Sequence, residues 1–451
     1  MMLTSRFTES RVLNAPLAGL PEASYADRNI LLRVLCRYIR SLLAITMTKT
    51  STARRSLTSA LLRLCVDAVL VVSIVGWLPA LLLLVVATNL SSMLVAASVL
   101  LALSLTSWWA IVKRCRRRSP PRVVAIPAAI LAASFYSSAA LWAPSGRVSP
   151  ESSLRSEYRG QARVSRFSPA WLVDEADQVR LGGVLLPYID PFMSGEQGKR
   201  FARTFISAYA ELRQSPDFVQ VGSTMGDAYA NMFFGAASRG HAYLYRPSAH
   251  AGRHCPVIVF LHGWLGNMKA YIWTWARFAD QNGFVVVCPT FGNGIWKGQN
   301  ADETLRWLDG LIRTDPMCDA QQVYVVGLSN GGTGVTRWAT TLPNTYRGLV
   351  MISPAMKGTD SPAFVSAVGT RPILVVHGEK DNRIPPDYVN RAVAVMREKG
   401  LRVESVCYHD EDHVLVLSSA RRFQADLLAW IANREREPSA GAHGLPPAVQ
   451  P

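Results

Sequence analysis

The feature that most constrains the fold is a run of 49 residues, positions 64–112, that contains no Lys or Arg and only one charged residue, Asp67. A membrane-spanning helix needs about 20 apolar residues, so this run is long enough for two spans. The polar segment 87–92 divides it, which predicts spans near residues 66–86 and 90–112.

A third apolar run, residues 123–142, follows a basic segment at residues 113–122. It contains Pro127, which a membrane helix tolerates when its neighbours satisfy the freed backbone groups. Basic loops stay in the cytoplasm, and the arginines ahead of the first span agree with that side. We therefore expect a multi-pass protein of a bacterial inner membrane whose C-terminal domain lies outside the cytoplasm. The side would invert if the third run did not cross.

The positive charge is concentrated in the N-terminal third. Residues 1–144 hold 16 Lys and Arg against 4 Asp and Glu, whereas residues 145–451 hold 32 against 28. The basic residues flank apolar runs and form no patch interleaved with aromatic residues, so we expect a membrane and no nucleic acid as partner.

These patterns divide the chain into five parts. Within the first part, residues 29–45 fit either an amphipathic helix on the membrane surface or sequence ahead of a true start at Met47. The predicted parts are a basic N-terminal segment (1–63), a membrane region of about three helices (64–143), a linker rich in Ser and Arg (144–167), a folded domain (168–437) and a disordered tail (438–451).

The folded domain alternates short apolar strands with amphipathic helices. Examples are the strand-like "PVIVFLHGW", the helical "AYIWTWARFADQNG" and the strand-like "FVVVCPT", which follow one another directly. Continuous apolar strands that alternate with helices predict a mostly parallel sheet covered on both faces.

The stretch "VYVVGLSNGGTGV", positions 323–335, contains Gly-x-Ser-x-Gly. This pattern alone is weak, but here a strand precedes it and a helix follows it. A nucleophilic serine on a cramped strand-to-helix turn needs this context, with Gly327 and Gly331 where a Cβ would crowd the turn. Ser329 is therefore the candidate nucleophile. The alternative is an ordinary serine in a glycine-rich turn.

A serine nucleophile needs a base and an acid that orients the base. Asp381 in "VVHGEKDNRIP" and His413 in "YHDEDHVLVL" each follow a predicted strand, in the chain order Ser, Asp, His. Rival residues near these two are Glu379, Asp387, Asp412 and His409.

The turn "HGW" after the first strongly apolar strand supplies a second element of such a site. The backbone N–H groups of Trp264 and Asn330 are the candidate oxyanion hole. His262 is expected to be a structural hydrogen-bonding residue.

The segment from about residue 218 to 434 resembles the α/β-hydrolase superfamily, and within it is similar to the dienelactone hydrolase and prolyl-oligopeptidase-like branch. The resemblance rests on "HGW", "GLSNGG", "HGEKDNRIP" and the loop of His413. It implies an α/β-hydrolase fold at residues 168–437, with Ser329 as nucleophile, Asp381 as acid and His413 as base. The chain departs from dienelactone hydrolases, which have a cysteine nucleophile, and Leu415 stands where many relatives have an aromatic residue.

The resemblance also implies features around the site. Only fifteen residues separate "VMISPA" from "RPILVV", which predicts a minimal cap and an open site. Trp264, Trp296 and Phe291 are candidates for an apolar acyl pocket or for packing against the sheet. In this fold the strands that follow Cys255 and Cys318 are neighbours, so these residues either form a disulfide or remain free.

Together these patterns predict a membrane-anchored serine hydrolase that cleaves carboxylic esters, with a small-molecule, lipid or polymeric substrate and with no metal or organic cofactor. Alternatives are a serine peptidase of the prolyl-oligopeptidase type and a catalytically idle scaffold tethered to the membrane. No β-propeller precedes the domain, which favours the esterase, and the complete Ser, Asp and His set argues against the scaffold. The oligomeric state does not follow from the sequence.

Overall fold

The computed structural model describes residues 51–115, 122–160 and 163–436. Its N-terminal part consists of three long helices, α1 (Ser51–Val86), α2 (Leu90–Arg114) and α3 (Arg122–Trp142). Each contains a stretch that is long and apolar enough to cross a membrane, at Ala60–Val86, Leu90–Arg114 and Val123–Trp142. The predicted segments at 29–45 and 438–451, and most of the basic loop 113–122, lie outside the described residues.

The chain contains two compact units. The smaller takes in residues as far as Trp77 together with Ala102–Ala128, and the larger takes in Leu78–Leu101 and everything from Ala129 onwards. Within the smaller unit, Ser73 Oγ and Thr106 Oγ1 are 2.9 Å apart, so α1 and α2 share a polar contact.

The remaining elements belong to the larger unit. In chain order they are β1 (Leu154–Tyr158), α4 (Pro169–Leu172), α5 (Glu175–Ile189), α6 (Gly195–Leu212), α7 (Pro216–Gln220), α8 (Met225–Phe234), β2 (His241–Tyr245), β3 (Cys255–Leu261), α9 (Lys269–Asn282), β4 (Val285–Thr290), α10 (Gly298–Thr314), β5 (Cys318–Leu328), α11 (Gly331–Thr341), β6 (Gly348–Ile352), α12 (Pro362–Val368), β7 (Ile373–Gly378), α13 (Pro386–Glu398), β8 (Val403–Tyr408), α14 (Leu415–Ser418) and α15 (Ala420–Arg436).

The eight strands form one sheet in the order β1-β2-β4-β3-β5-β6-β7-β8. β2 runs antiparallel to β1 and β4, and the strands from β4 to β8 are parallel. This order, with a helix between successive parallel strands, is the α/β-hydrolase fold. The predicted fold class is confirmed.

The core lies on both faces of this sheet. In β3, Val257 and Val259 pack on the face covered by α10, α11 and α13, whereas Ile258 and Phe260 pack on the face covered by α6, α9 and α15. All four side chains are buried. The continuous apolar runs of the sequence follow from this arrangement, because every residue of a central strand faces a layer of helices.

The segment predicted as a linker contributes a strand of the sheet. β1 lies within residues 144–167 and pairs with β2 along its whole length, with Leu154 opposite Tyr245 and Tyr158 opposite His241. The linker prediction is wrong for these residues. β1 is an edge strand and only its first residue is buried, so its sequence LRSEY carries no apolar run.

The two cysteines expected either to form a disulfide or to remain free are register partners at the start of β3 and β5. Both Cys255 and Cys318 are free and buried, so the bridge is not formed. Burial raises the pKa of the Cys318 thiol to about 12 and also raises the pKa of Cys255. Disulfide formation proceeds through a thiolate, which this environment disfavours.

Candidate active site

Ser329 lies on a strained turn between β5 and α11. Its φ is 54°, a left-handed conformation that non-glycine residues seldom adopt. A Cβ on Gly327 would lie 2.3 Å from the carbonyl oxygen of Gly331, and one on Gly331 would lie 2.1 Å from that of Leu261. Both positions therefore require glycine, and the turn presents the serine at the carboxyl end of the sheet.

The structure brings Ser329 together with His413 and Asp381. His413 Nε2 lies 3.0 Å from Ser329 Oγ, and His413 Nδ1 lies 2.8 Å from Asp381 Oδ2. The three residues come from the loops after β5, β8 and β7, respectively. This hydrogen-bonded series can move a proton from the serine hydroxyl to the imidazole and hold the imidazole in one tautomer.

Asp381 is fixed as an acceptor. Its Oδ1 accepts hydrogen bonds from the backbone N–H groups of Arg383 and Ile384, both at 2.9 Å, and its side chain is buried. Backbone donors on one oxygen leave Oδ2 free for the histidine. A further backbone contact joins the two loops, because Lys380 N–H donates to Glu411 O at 2.9 Å.

The rival residues are engaged elsewhere. His409 is largely exposed and its Nδ1 lies 3.0 Å from Glu379 Oε2. Asp387 lies exposed in the first turn of α13. Asp412 Oδ1 accepts a hydrogen bond from Val414 N–H at 3.1 Å. Among the residues that the structure describes, none of these four forms a hydrogen bond with Ser329.

The two predicted oxyanion donors flank the serine. Asn330 follows it, and Trp264 follows Gly263, where a Cβ would come within 2.9 Å of Ser329 Cβ. Among the residues with described positions, neither the Trp264 nor the Asn330 backbone N–H donates a hydrogen bond. Both donors are thus available to a developing oxyanion.

His262 holds the turn together from beneath. Its Nδ1 lies 2.7 Å from Gly263 O, and its Nε2 accepts a hydrogen bond from Phe291 N–H at 3.0 Å. Complete burial lowers the pKa of this imidazole to about 4. The ring is therefore neutral, and both nitrogens are occupied by the backbone.

An apolar pocket opens beside Ser329 and His413. Its lining includes Trp264 and, from the segment between β1 and β2, Phe192, Met193, Phe201 and Phe205. Of the two alternatives for Trp296 and Phe291, the structure shows packing and not pocket lining. Both are buried in the core between the sheet and its helices, where their rings stack at 4.7 Å.

Sequence reasoning missed the pocket residues of α6. The helix was predictable from its apolar spacing, but nothing local shows that its apolar face covers the site. Only the short helix α12 lies between β6 and β7, in line with a minimal cap at that position. The pocket is covered instead by the α5–α6 hairpin, a pair of helices that precedes most of the sheet in the chain.

Ion pairs hold the tip of the α5–α6 hairpin on the two loops of the site. Asp190 pairs with Arg383 in the Asp381 loop. Arg200 pairs with Glu411 at 2.7 Å and with Asp412 at 3.4 Å in the His413 loop. Such partly buried pairs fix the hairpin relative to the reacting residues.

No group of three His, Cys, Asp or Glu that would hold a metal ion occurs among the residues described. The site is a polar triad beside an apolar pocket. What the arrangement can perform is nucleophilic attack on a carbonyl carbon with general base assistance.

Comparison with known families gives one match. Residues 359–435 match the prolyl oligopeptidase family, and this range contains Asp381 and His413 but not Ser329. The match confirms the resemblance to the α/β-hydrolase superfamily and supports hydrolase activity. No curated protein sequence matches the chain.

Solved structures with a similar fold include hydrolases, an esterase and a peptidase. An S-formylglutathione hydrolase from Agrobacterium tumefaciens is 18% identical, with 43% of this chain and 89% of that chain covered and a TM-score of 0.35. A hyperthermophilic esterase from the archaeon Pyrobaculum calidifontis is 19% identical, with 43% of this chain and 81% of that chain covered and a TM-score of 0.35. An acylaminoacyl peptidase from Pyrococcus horikoshii is 17% identical, with 46% of this chain and 41% of that chain covered and a TM-score of 0.34. The strand order itself establishes that this chain has the α/β-hydrolase fold, and its C-terminal part is similar to the prolyl oligopeptidase family.

Proposed function

We propose that the protein is a membrane-anchored serine hydrolase that cleaves carboxylic esters. The observation that carries this proposal is the continuous hydrogen-bonded series from Ser329 Oγ through His413 to the buried Asp381. The glycine-lined turn from strand to helix adds to it, because a turn of this kind presents a serine for nucleophilic attack.

The reaction follows from the positions of these groups. His413 Nε2 takes the proton as Ser329 Oγ attacks the ester carbonyl, and the N–H groups of Trp264 and Asn330 stabilise the oxyanion. His413 then gives the proton to the departing alcohol. Water cleaves the acyl-enzyme in the same way, and the serine is regenerated. Asp381 orients the imidazole and stabilises its charged form.

The apolar pocket favours an ester with an apolar acyl group. Its aromatic lining, including Phe201 and Phe205, suits a hydrocarbon chain better than the polar backbone of a peptide. A peptidase remains the second candidate because residues 359–435 match the prolyl oligopeptidase family.

A fluorophosphonate probe on membranes that contain the full chain tests the proposal. We expect covalent labelling of the wild type and none of Ser329→Ala, with Ser353→Ala as a matched control serine at the end of a neighbouring strand. Absence of labelling in a folded wild type would favour the scaffold alternative. A chromogenic ester and amide with the same acyl group then separate esterase from peptidase, and faster amide cleavage would reverse our assignment.

We further propose that α1–α3 anchor the chain in a bacterial inner membrane with the sheet domain outside the cytoplasm. The proposal rests on three apolar helices of sufficient length and on the basic residues between the second and third. Protease added to spheroplasts should digest the sheet domain. Protection until the cells are lysed would place the domain on the cytoplasmic side.

A further inference from the structure

One face of α5 continues from the helices of the membrane region out to the pocket. Asp177, Leu181, Val184 and Tyr188 are spaced by four, three and four residues, so they lie on the same side of the helix. The first two contact the membrane region. The last two are exposed, Val184 by 41% and Tyr188 by 86%.

Asp177 joins this face to the loop between the first two candidate spans. Its Oδ1 accepts from the backbone N–H and the hydroxyl of Thr88, both at 3.0 Å, and its Oδ2 accepts from Asn89 N–H at 3.1 Å. The carboxylate thus lies at the N-terminus of α2, where a negative charge is stabilised. Arg180 binds both Asp177 and Thr88, at 2.9 and 2.8 Å.

Leu181, one turn further along the same face, also packs on the membrane helices. It contacts a cluster that includes Leu83 of α1, Val95 of α2 and Ala139 of α3. Val184 and Tyr188 come next on this face, and their side chains are exposed. In the orientation proposed above, the loop that contains Thr88 lies at the outer surface of the membrane, so this face of α5 begins at that surface.

The exposed face ends at the pocket. Phe192 lies just beyond α5, is 43% exposed and lines the pocket beside Ser329. Phe233 and Phe234 add to the exposed aromatic surface at the end of α8, a helix joined to α5 by the hydrogen bond from Tyr229 to Gln178 at 2.7 Å.

We propose that this outward face of α5 lies in the headgroup region of the membrane and that the pocket receives the acyl chain of a lipid ester from that membrane. The inference rests on the proposed esterase function and names its substrate class. Aromatic side chains concentrate where a membrane meets water, and an apolar helical face binds there in proportion to its buried area.

The reaction on such a lipid balances as an ordinary hydrolysis. Ser329 Oγ bonds to the acyl carbon while the bond from that carbon to the lipid alcohol breaks, and the alcohol takes the proton from His413. Water then cleaves the acyl-enzyme, so the products are a free fatty acid and the deacylated lipid.

Hydrolysis by the full chain in phosphatidylcholine vesicles tests the substrate class. The two substrates share one leaving group: 4-methylumbelliferyl oleate dissolved in the membrane and 4-methylumbelliferyl acetate in water. We expect Tyr188→Asp to lower the oleate rate about tenfold, because a charge replaces an apolar contact with the lipid. The acetate rate should stay within about twofold. Ala394→Asp, on an exposed position of α13, is the control with the same added charge.

The outcomes separate this inference from the proposed function. A wild type that cleaves acetate but not oleate would overturn the inference and leave the esterase standing. A wild type that cleaves neither would overturn both. Equal losses on both substrates in Tyr188→Asp, or no loss on oleate, would show that the face of α5 does not deliver the substrate.

A second measurement tests the lipid contact without catalysis. A photoreactive p-benzoylphenylalanine at position 188 of the Ser329→Ala chain should form an adduct with radiolabelled phosphatidylcholine on illumination. The same residue at position 394 should form none. An absence of lipid adducts at position 188 would overturn the proposed membrane contact.

Discussion

In α1 the side chains of Val72, Val75 and Val85 are exposed, whereas in the sheet Val259 and Val325 are fully buried. Both α1 and the central strands have continuous apolar runs in sequence, but they differ in what surrounds them. The sheet domain buries its valines against its own helices. The long helix α1 leaves its valines exposed, which is typical of helices long and apolar enough to cross a membrane.

The polar groups differ in the same way. Asp381 is buried and receives two backbone hydrogen bonds and one histidine. Asp67 of α1 is 42% exposed and has one arginine contact, to Arg114 at 3.4 Å. The comparison teaches that the candidate acid Asp381 is held by more hydrogen bonds than the acidic residue of α1, Asp67, and three experiments can break or sharpen it.

Asp381→Asn should have the largest effect. Loss of the carboxylate leaves His413 without the acceptor that selects its tautomer, so we expect kcat on a soluble ester to fall about 10⁴-fold. Asp67→Asn removes the acidic side chain of α1, far along the chain from the candidate site, and should leave kcat within about twofold of the wild-type value. Equal effects of the two substitutions, or retention of activity in Asp381→Asn, would contradict the assigned acid.

Gly331→Ala should destabilise the protein by at least about 3 kcal/mol, because the new methyl group would meet the backbone oxygen of Leu261, which cannot move aside. Gly76 of α1 is the matched position. Its Cβ would lie 3.2 Å from Leu103 Cδ1, the far end of a flexible side chain. Gly76→Ala should therefore change stability by less than about 1 kcal/mol. Thermal unfolding in detergent measures both, and a similar loss at the two glycines would refute the distinction.

The smallest expected effect is a pH dependence of the free energy of unfolding. It should arise in the sheet domain, since the sequence has no histidine before His241. Burial lowers the pKa of His262 to about 4 and that of His241 to about 3. Below pH about 6.5 the unfolded chain binds protons that the folded chain does not, so stability falls as the pH is lowered from there towards those values.

Each buried histidine contributes up to about 1.4 kcal/mol per pH unit to this slope. Unfolding between pH about 6.5 and 5, above the range in which ordinary carboxyl groups titrate, isolates the effect. His262→Asn should reduce the slope, whereas His409→Asn, at an exposed position, should leave it unchanged. Identical slopes for the wild type and His262→Asn would contradict a neutral buried His262.

Much of the fold could be read along the chain because its signals are local. A membrane helix is marked by the length of its apolar run, and the turn around Ser329 is marked by glycines that no other residue can replace. The proximity of Ser329, Asp381 and His413 also follows from the sequence. They come after β5, β7 and β8, and parallel strands bring their carboxyl ends to one edge of the sheet.

The edge strand β1 and the lining of the pocket could not be predicted in this way, because they depend on contacts between residues far apart in the chain. β1 is a strand because β2 offers it a free edge, although its own residues are polar. Phe291 and Trp296 are apolar residues beside the site, yet they turn into the core, while Phe201 and Phe205 come from a helix more than a hundred residues before Ser329.

The sequence by itself determined the three apolar helices, the alternating strands and helices, and the identity of the candidate nucleophile, acid and base. Only the tertiary structure decided which side chains line the pocket, how the α5–α6 hairpin is held over it by Asp190 and Arg200, and which face of α5 remains uncovered. The physical reason is that burial depends on what packs against a surface, and no stretch of sequence specifies its distant neighbours.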